Sequence, residues 1–473
     1  MMTYQDFSKE TDRAKAIARV ISEHEASEAY RIAVEADLYD RQKNKTITEF
    51  VQKLFTSSGA TVENFVASNN KKASGFFNLL NTQRNSFLLG NGVSFAAAEP
   101  PSTREQAGDA PGAARKAADW TKHALGPRFD QDLMNAGYYA LIHGVSFCFW
   151  NHDRLHVFKL TEFAPLWDEE TGALRAGVRY WCIDRGNKPV MAVLYEECGV
   201  TRYKSKGSAP ADFEAETDKP LAYKTTLSRA PADAEATVVG QENYETLPIV
   251  PLYGSRLHQS TLVGMKESID SYDIIANGWC NDVRDCAQVY WLLENYGGMS
   301  EEDIAKFRDR LLTMHIAAAD TSSGGKATPY TQEIPYQSRD ALLTRIKEDI
   351  YRDFGGLDAH ALSGGSMTAT AIKAAYEALN QKADDFEMQV IDCVQGILRL
   401  IGIEDTPVFK RSVMVNELEQ VQIVMMEADV LDDETLLRKL PNVTPDEVPG
   451  ILARRQEEEQ SRFLRETSLD GEG

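Results

Sequence analysis

Apolar positions recur in two different periods along the chain, and the switches between them divide it. From residue 1 to about 95 they fall at helical spacing, as in EASEAYRIAVEADLY and KASGFFNLLNTQRNSFLLG, and Gly90-Asn91-Gly92 closes the run. The Ala-, Pro- and Gly-rich stretch at 97–118 predicts a surface loop. Between about 138 and 250 the runs GVSFCFW, LHVFKL, GVRYWCI and PVMAVLY alternate with the turn signals NHD, DEETG and DRGNKP, which predicts a strand meander. Within it, 205–240 is poor in large apolar side chains and predicts a flexible excursion.

After Pro251 the helical period returns. Leu262, Met265, Ile269, Tyr272, Ala276, Trp279, Val283, Cys286 and Tyr290 form a heptad-like seam that predicts one long helix. Lys266, Glu267, Asp270, Asp273, Asn277 and Asn281 take its other faces, predicting a solvated side. A compact α/β insertion follows, in which Ser300 caps EEDIAKFRDRLLTM while HIAAAD and PYTQEIPY frame an SSGGK turn. The segment SRDALLTRIKEDIYRDF returns as a helix with Leu343, Ile346, Ile350 and Phe354 on one stripe. A Gly- and Ser-rich loop spans Gly355 to Met367, and the glycines at its two ends predict backbone freedom. A second seam, Ile372, Tyr376, Leu379, Ala383, Phe386, Val390, Cys393, Ile397 and Leu400, predicts a rod of roughly 45–50 Å. Such a rod suits packing against a neighbouring subunit, although a long buried helix of a monomeric enzyme has the same pattern. From Ile403 onward the chain is helical in pattern, with a capping box at Thr444-Pro445-Asp446-Glu447. That tail holds 17 acidic against 8 basic residues, which makes it an acidic surface.

Composition narrows the class. The chain has 473 residues, 43% hydrophobic and 26% charged, as expected of a folded protein of about three domains or one with large excursions. The most apolar run, Tyr138 to Trp150, is broken by His143, Gly144 and Ser146 and is too short to span a bilayer. The first residues mix acids and bases without an apolar core, so no secretory signal and a cytoplasmic site of synthesis are expected. The six cysteines form no Cys-x-x-Cys pair and read as reduced packing residues. A net charge of −21 argues against gripping nucleic acid over the whole surface. It does not exclude a conduit, whose wall should bind a polyanion weakly, but an acidic surface that merely aids solubility explains it as well, so charge alone decides nothing.

Candidate chemistry fails on inspection. Gly90-Asn91-Gly92-Val93-Ser94-Phe95 has Phe95 where a dinucleotide fingerprint needs its third glycine, and it follows a helix. Gly324-Gly325-Lys326-Ala327 lacks the first glycine and the hydroxyl of a phosphate loop. His152-Asp153-Arg154-Leu155-His156 has Asp in place of the metalloprotease Glu and lies in a strand–turn setting. Asp358, His360 and Ser363 have the residue types of a hydrolase triad without a nucleophile elbow. No lysine follows an acid at the two-residue spacing of restriction-type nucleases. No catalytic, cofactor or metal site is expected.

Several stretches resemble the portal family of tailed bacteriophages, in the type found in phages and prophages of Gram-positive hosts. NSFLLGNGVSF resembles the family's helix exit, and DQDLMNAGYYALIHGVSFCFWN with FAPLWDEETGALRAGVRYW resembles its wing strands. LPIVPLYGSRLHQSTLVGMKESIDSYDIIANGWCNDV resembles the entry into the first stem helix and is the most specific match. LSGGSMTATAIKAAYEALNQKADDFE is similar to the tunnel loop and following helix, and LDDETLLRKLPNVTPDEVPGILARRQEEE to the C-terminal helices. Residues 97–118 and 205–240 match nothing.

The resemblance implies an α+β, mainly α, portal fold with long heptad-patterned helices and a strand meander in the wing. The implied wing is 1–255, with stem helices at 256–285 and 339–356, a clip at 286–338, a tunnel loop at 357–368, a long wing helix at 369–402 and a crown at 403–473. It further implies a ring, commonly a dodecamer, acting as a channel for double-stranded DNA at one capsid vertex of the virion after assembly in the host cytoplasm. Its implied partners are the terminase large subunit, a head-completion adaptor, and the major capsid and scaffolding proteins, with no membrane. The implied DNA-facing loop residues are Gly356, Asp358, His360, Ala361, Leu362, Ser363, Gly364, Gly365 and Ser366, and the stem residues Lys266, Asp270, Asp273, Arg345 and Lys347. Between Gly356 and Thr368 there is no Lys or Arg, so phosphate contact there is expected to be weak. A metal-dependent nuclease of a mobile element and a cellular helical scaffold are the rival readings.

Overall fold

A computed structural model describes residues 2–51, 53–55, 61–63, 68–96, 120–184, 186, 188–217, 219–228, 237–285, 290–294, 300–303, 305–306, 326–330, 336–358, 369–412, 424–426, 432–440, 443, 448 and 450–455. The chain divides into two units, one of Met1–Ser363 with Ala375–Lys410 and one of Gly364–Ala374 with Arg411–Gly473.

The first unit opens with helices whose starts are set by short polar side chains. Thr3 accepts from Asp6 N to cap α1 (Tyr4–Lys9), Asp12 from Lys15 N to cap α2 (Arg13–Ala26), and Ser27 from Tyr30 N to cap α3 (Glu28–Asp40). After α4 (Lys45–Thr48) the chain departs from the helical expectation, because β1 (Lys53–Phe55) and β2 (Thr61–Glu63) pair antiparallel. Helix α5 (Phe76–Leu89) ends at Gly90 and passes into β3 (Val93–Ala96). Helix α6 (Phe129–His143) occupies the first residues assigned to the meander.

The meander itself is as the alternation predicts. β4 (Val145–Trp150), β5 (Leu155–Lys159), β7 (Leu174–Cys182) and β8 (Val190–Glu196) coincide with the four apolar runs, and β6 (Phe163–Trp167) and β9 (Gly199–Ser205) add to them. In the region read as an excursion, β10 (Phe213–Ala215) joins β9, while β11 (Lys224–Ser228) pairs β12 (Thr237–Glu242). β13 (Ile249–Tyr253) returns beside β4. The result is a three-stranded sheet, β13-β4-β5, and a five-stranded sheet, β10-β9-β8-β7-β6. Ile17 and Ile21 of α2 bury against Val178, Ala192 and Leu194 on one face of the larger sheet. Phe147, Phe158 and Phe163 are buried with Val193 and Tyr195, joining the two sheets.

The first seam runs along α7 (Lys266–Asp285), which begins one turn later than Leu262. Tyr290, its expected last member, lies instead in β14 (Tyr290–Glu294), paired with β15 (Lys326–Tyr330). Helix α8 (Tyr336–Phe354) buries Leu343, Ile350 and Phe354 as its stripe predicts. The second seam is α9 (Ala369–Leu400), 32 residues and roughly 48 Å at 1.5 Å per residue. Its stripe is used inside the chain: Phe386, Val390, Cys393 and Ile397 are buried with Leu133, Ala136 and Ala140 of α6 and with Cys148 and Trp150 of β4. This part of the seam, expected to meet a neighbour, therefore belongs to the chain's own core. β16 (Thr406–Phe409) pairs with β3, which keeps residues up to Lys410 in the first unit.

In the second unit, Asp432 caps α10 (Asp433–Lys439) by accepting from Thr435 N. Among the described residues, Cys148 and Cys393 fit the reading of cysteines as packing residues, while Cys182, Cys198 and Cys280 are exposed. The 97–118 loop, Cys286, HIAAAD with most of SSGGK, His360 to Ser366, and the Thr444–Glu447 box lie outside the described residues.

Candidate functional site

The paired helices α7 and α8 and the start of the loop after α8 hold the described residues singled out from the sequence. A shared cluster forms their base, with Ile269 of α7 and Ile350 and Phe354 of α8 buried among Tyr39, Phe77, Leu80 and Ile142. Phe76 stacks edge-on between Tyr272 and Tyr351, with ring centroids at 5.0 and 6.1 Å. Farther along, Arg339 of α8 pairs with Asp282 of α7.

Of the residues expected on the solvated side of α7, Glu267 is exposed and Lys266 half-buried, but the other four are buried. Asp270, Asp273, Asn277 and Asn281 are 8%, 2%, 7% and 3% exposed. Three of them form a ladder on an extended strap of chain. The Asn281 Oδ1 accepts from the Asn70 backbone N–H at 2.7 Å and from Asn70 Nδ2 at 2.8 Å. The Asn277 Oδ1 accepts from Lys72 N at 2.9 Å while its Nδ2 donates to Lys72 O at 2.8 Å. Both Asp273 oxygens accept from Ser74 N, at 3.0 and 3.1 Å. The register follows from two periods. Four helical residues advance about 6.0 Å and two extended residues about 6.6 Å, so side chains at i, i+4 and i+8 meet alternate amides of a strand running antiparallel to the helix.

Asp270 sits below the ladder, accepting from Tyr39 Oη at 2.5 Å, Thr46 Oγ1 at 3.0 Å and Lys266 Nζ at 2.7 Å. Burial, then the Asp270 carboxylate, pushes the Tyr39 hydroxyl pKa up to about 12. Burial raises the pKa of Asp273 despite the Ser74 and Asn44 donors, and neighbouring Asp270 adds to the rise. Lys266 also reaches Glu35 at 3.6 Å. Lys266, Asp270 and Asp273 thus hold α7 to the rest of the first unit. Arg345 is the exposed member of the set and pairs with Asp349 at 3.5 Å.

The start of the loop is fixed, in contrast to the freedom its glycines suggest. Gly355 closes α8 at φ +71°, with its N–H on Arg352 O and that of Gly356 on Tyr351 O, a Schellman ending. A Cβ on Gly356 would lie 2.3 Å from Leu80 Cδ2. The Gln83 amide pairs with both backbone groups of Leu357, each at 2.9 Å. Asp358 reaches back to Lys347 Nζ at 2.8 Å, and this hydrogen bond is the main cause of the raised Lys347 pKa.

Residues that pattern reasoning missed are Asn44, Gln83 and the strap at 70–74. Their signal was faint: the ladder residues are short Asp and Asn side chains at four-residue spacing, where a solvated helix face more often carries long Lys and Glu.

Comparison with known proteins gives the family. The family model described as Phage portal protein, SPP1 Gp6-like, matches residues 19–462. The portal protein of Clostridium phage phiCD119 is 26% identical over 209 residues, covering 42% of this chain and 46% of the relative. The portal protein of Bacillus phage SPP1 is 26% identical over 307 residues, covering 61% and 58%. The chain thus spans about half the length of the curated relatives it matches. A solved chain from the neck of an empty GTA particle, computed with C6 symmetry, aligns over 78% of this chain and 88% of its own, at 9% identity and a TM-score of 0.39, a likeness too slight to carry an argument. The family match runs through the helical start, both sheets, the paired helices and α9, and on it the chain belongs to the SPP1 Gp6-like family of phage portal proteins.

Proposed function

We propose that the chain is a ring-forming portal subunit, twelve to a ring, whose central channel carries double-stranded DNA into and out of the capsid at one vertex of the virion. The family match over residues 19–462 carries this reading. In it the wing is 1–255 with the long helix 369–402, the stem is 256–285 with 339–356, the clip is 286–338 and the crown is 403–473. Ring closure requires contacts repeated by rotation. Apolar side chains left open on the paired helices suit such contacts, since Ile274 and Val283 on α7 are 40% and 54% exposed and Tyr336 and Leu342 on α8 are 60% and 46% exposed. The loop 357–368 lines the narrow part of the channel in this reading, anchored at Leu357 and Asp358 and touching phosphate weakly. The protein acts mechanically and carries no enzymatic activity.

The clip docks the terminase large subunit during packaging and the head-completion adaptor afterwards, while capsid and scaffolding proteins surround the wing. Support for the clip comes from β14 and β15, which pair with each other between the ends of α7 and α8, so that the insertion leaves and rejoins the body through two helices. Deleting 286–338 and joining the helices by a short Gly-Ser linker is expected to leave a soluble, folded protein that no longer binds adaptor in a pull-down. Undiminished adaptor binding by that deletion contradicts the assignment.

A further inference from the structure

A cavity of about 290 Å³ lies where α5, the end of α8, the turn at 254–265 and the middle of α9 meet, and Arg84, Arg256, Gln259, Lys382, Asp353 and Asp385 are among its lining. That volume sits at the lower end of the range for small-molecule sites, roughly 300–1,000 Å³. Arg84, on the inward face of α5, is 6% exposed. Its Nη2 donates to the Phe354 carbonyl, its guanidinium lies 4.2 Å from the centre of the Phe354 ring, and its Nε has no acceptor. Among the described residues no carboxylate forms an ion pair with it, and burial pulls its pKa down to about 10 with only Asp385 opposing. Asp385 acts on Arg84 without forming an ion pair, so the buried cation is only partly compensated, and its Nε–H stays without an acceptor among the described residues. An anion in the cavity supplies the missing counter-charge.

The rest of the lining is consistent with that occupant. Arg256 and Lys382 are exposed and in no ion pair among the described residues. Of the two acids, Asp353 is paired with Arg352 at 3.0 Å, and Asp385 accepts from the Arg256 backbone N–H at 3.4 Å. Three cations therefore outnumber two acids. Their donors arrive from α5, from the turn and from α9, a spread that a tetrahedral oxyanion satisfies better than a planar carboxylate does. We infer that this cavity binds a free, phosphate-class oxyanion, with Arg84 as its recessed anchor and Arg256 and Lys382 at its mouth. With its anchor Arg84 only 6% exposed, the cavity suits a free oxyanion better than the backbone of duplex DNA, and the bound anion links α5, the turn and α9 at the base of the paired helices.

The test is thermal unfolding of the full chain titrated with inorganic phosphate at constant ionic strength, balanced with chloride. The midpoint should rise and saturate, as binding to the folded state alone requires. Arg256→Ala with Lys382→Ala, both on exposed side chains, should raise the half-saturating phosphate about tenfold or more, in keeping with the loss of charge-assisted hydrogen bonds. Acetate, and a short DNA duplex at equal phosphate content, should give no saturable rise. A response linear in phosphate, one unchanged in the double variant, or one reproduced by acetate or duplex overturns the assignment.

Discussion

Replacing Phe386 with alanine is expected to lower the stability of the first unit by about 3–5 kcal/mol, the cost of emptying an aromatic site in a packed core. Phe386 is 0% exposed at the centre of the α9 stripe, and its ring edge meets Gly137, where a Cβ would come within 3.1 Å of Cζ. The helices α6 and α9 approach closely there, so neither can collapse into the vacated volume without moving the β4 sheet behind it. Met388, two residues on, is 67% exposed, and its alanine variant should change stability by less than about 0.5 kcal/mol. Trp150 is buried in the same cluster, so it is one of the six tryptophans whose fluorescence follows the denaturant midpoint. Equal midpoints for the two variants would contradict the placement of α9 in the core.

The second large effect lies in the ladder. Asn277→Leu keeps a side chain of similar bulk but removes the acceptor of Lys72 N and the donor to Lys72 O, two of the bonds that hold the strap. Each lost bond is worth about 0.5–1.5 kcal/mol, so the strap should open more easily by about 1–3 kcal/mol. In hydrogen exchange that is a roughly 5- to 150-fold acceleration of the Lys72 amide, with Asn70 and Ser74 following because the same strap carries them. Asn277→Asp preserves the acceptor alone and should fall between. An unchanged Lys72 amide in the leucine variant would show that the strap is held by something other than this stripe.

How much of the molecule its sequence disclosed depended on what each element buries. The α9 seam and the strands at GVSFCFW, LHVFKL, GVRYWCI and PVMAVLY were legible because apolar side chains there meet apolar partners, the case that periodicity detects. The solvated face assigned to α7 was misread for the complementary reason: Asp273, Asn277 and Asn281 are buried against backbone amides, and a polar residue satisfied by backbone looks in sequence like one satisfied by water. The strap SNNKKAS, with almost no apolar residue, gave no signal of its own. Tyr290 continued the heptad spacing by coincidence of its residue type, and the pairing of β14 with β15, which sets Tyr290 opposite Tyr330, is non-local information that no window contains. At the loop, Gly355 and Gly356 were read as freedom, whereas one closes a helix at positive φ and the other makes room for Leu80.

The most direct test of the portal assignment is electron microscopy of the purified full-length chain. Class averages should show closed rings with a central opening wide enough for duplex DNA and, in the proposed reading, twelve repeating subunits. Particles that remain single subunits or compact assemblies without an opening, across protein concentration and ionic strength, would contradict it.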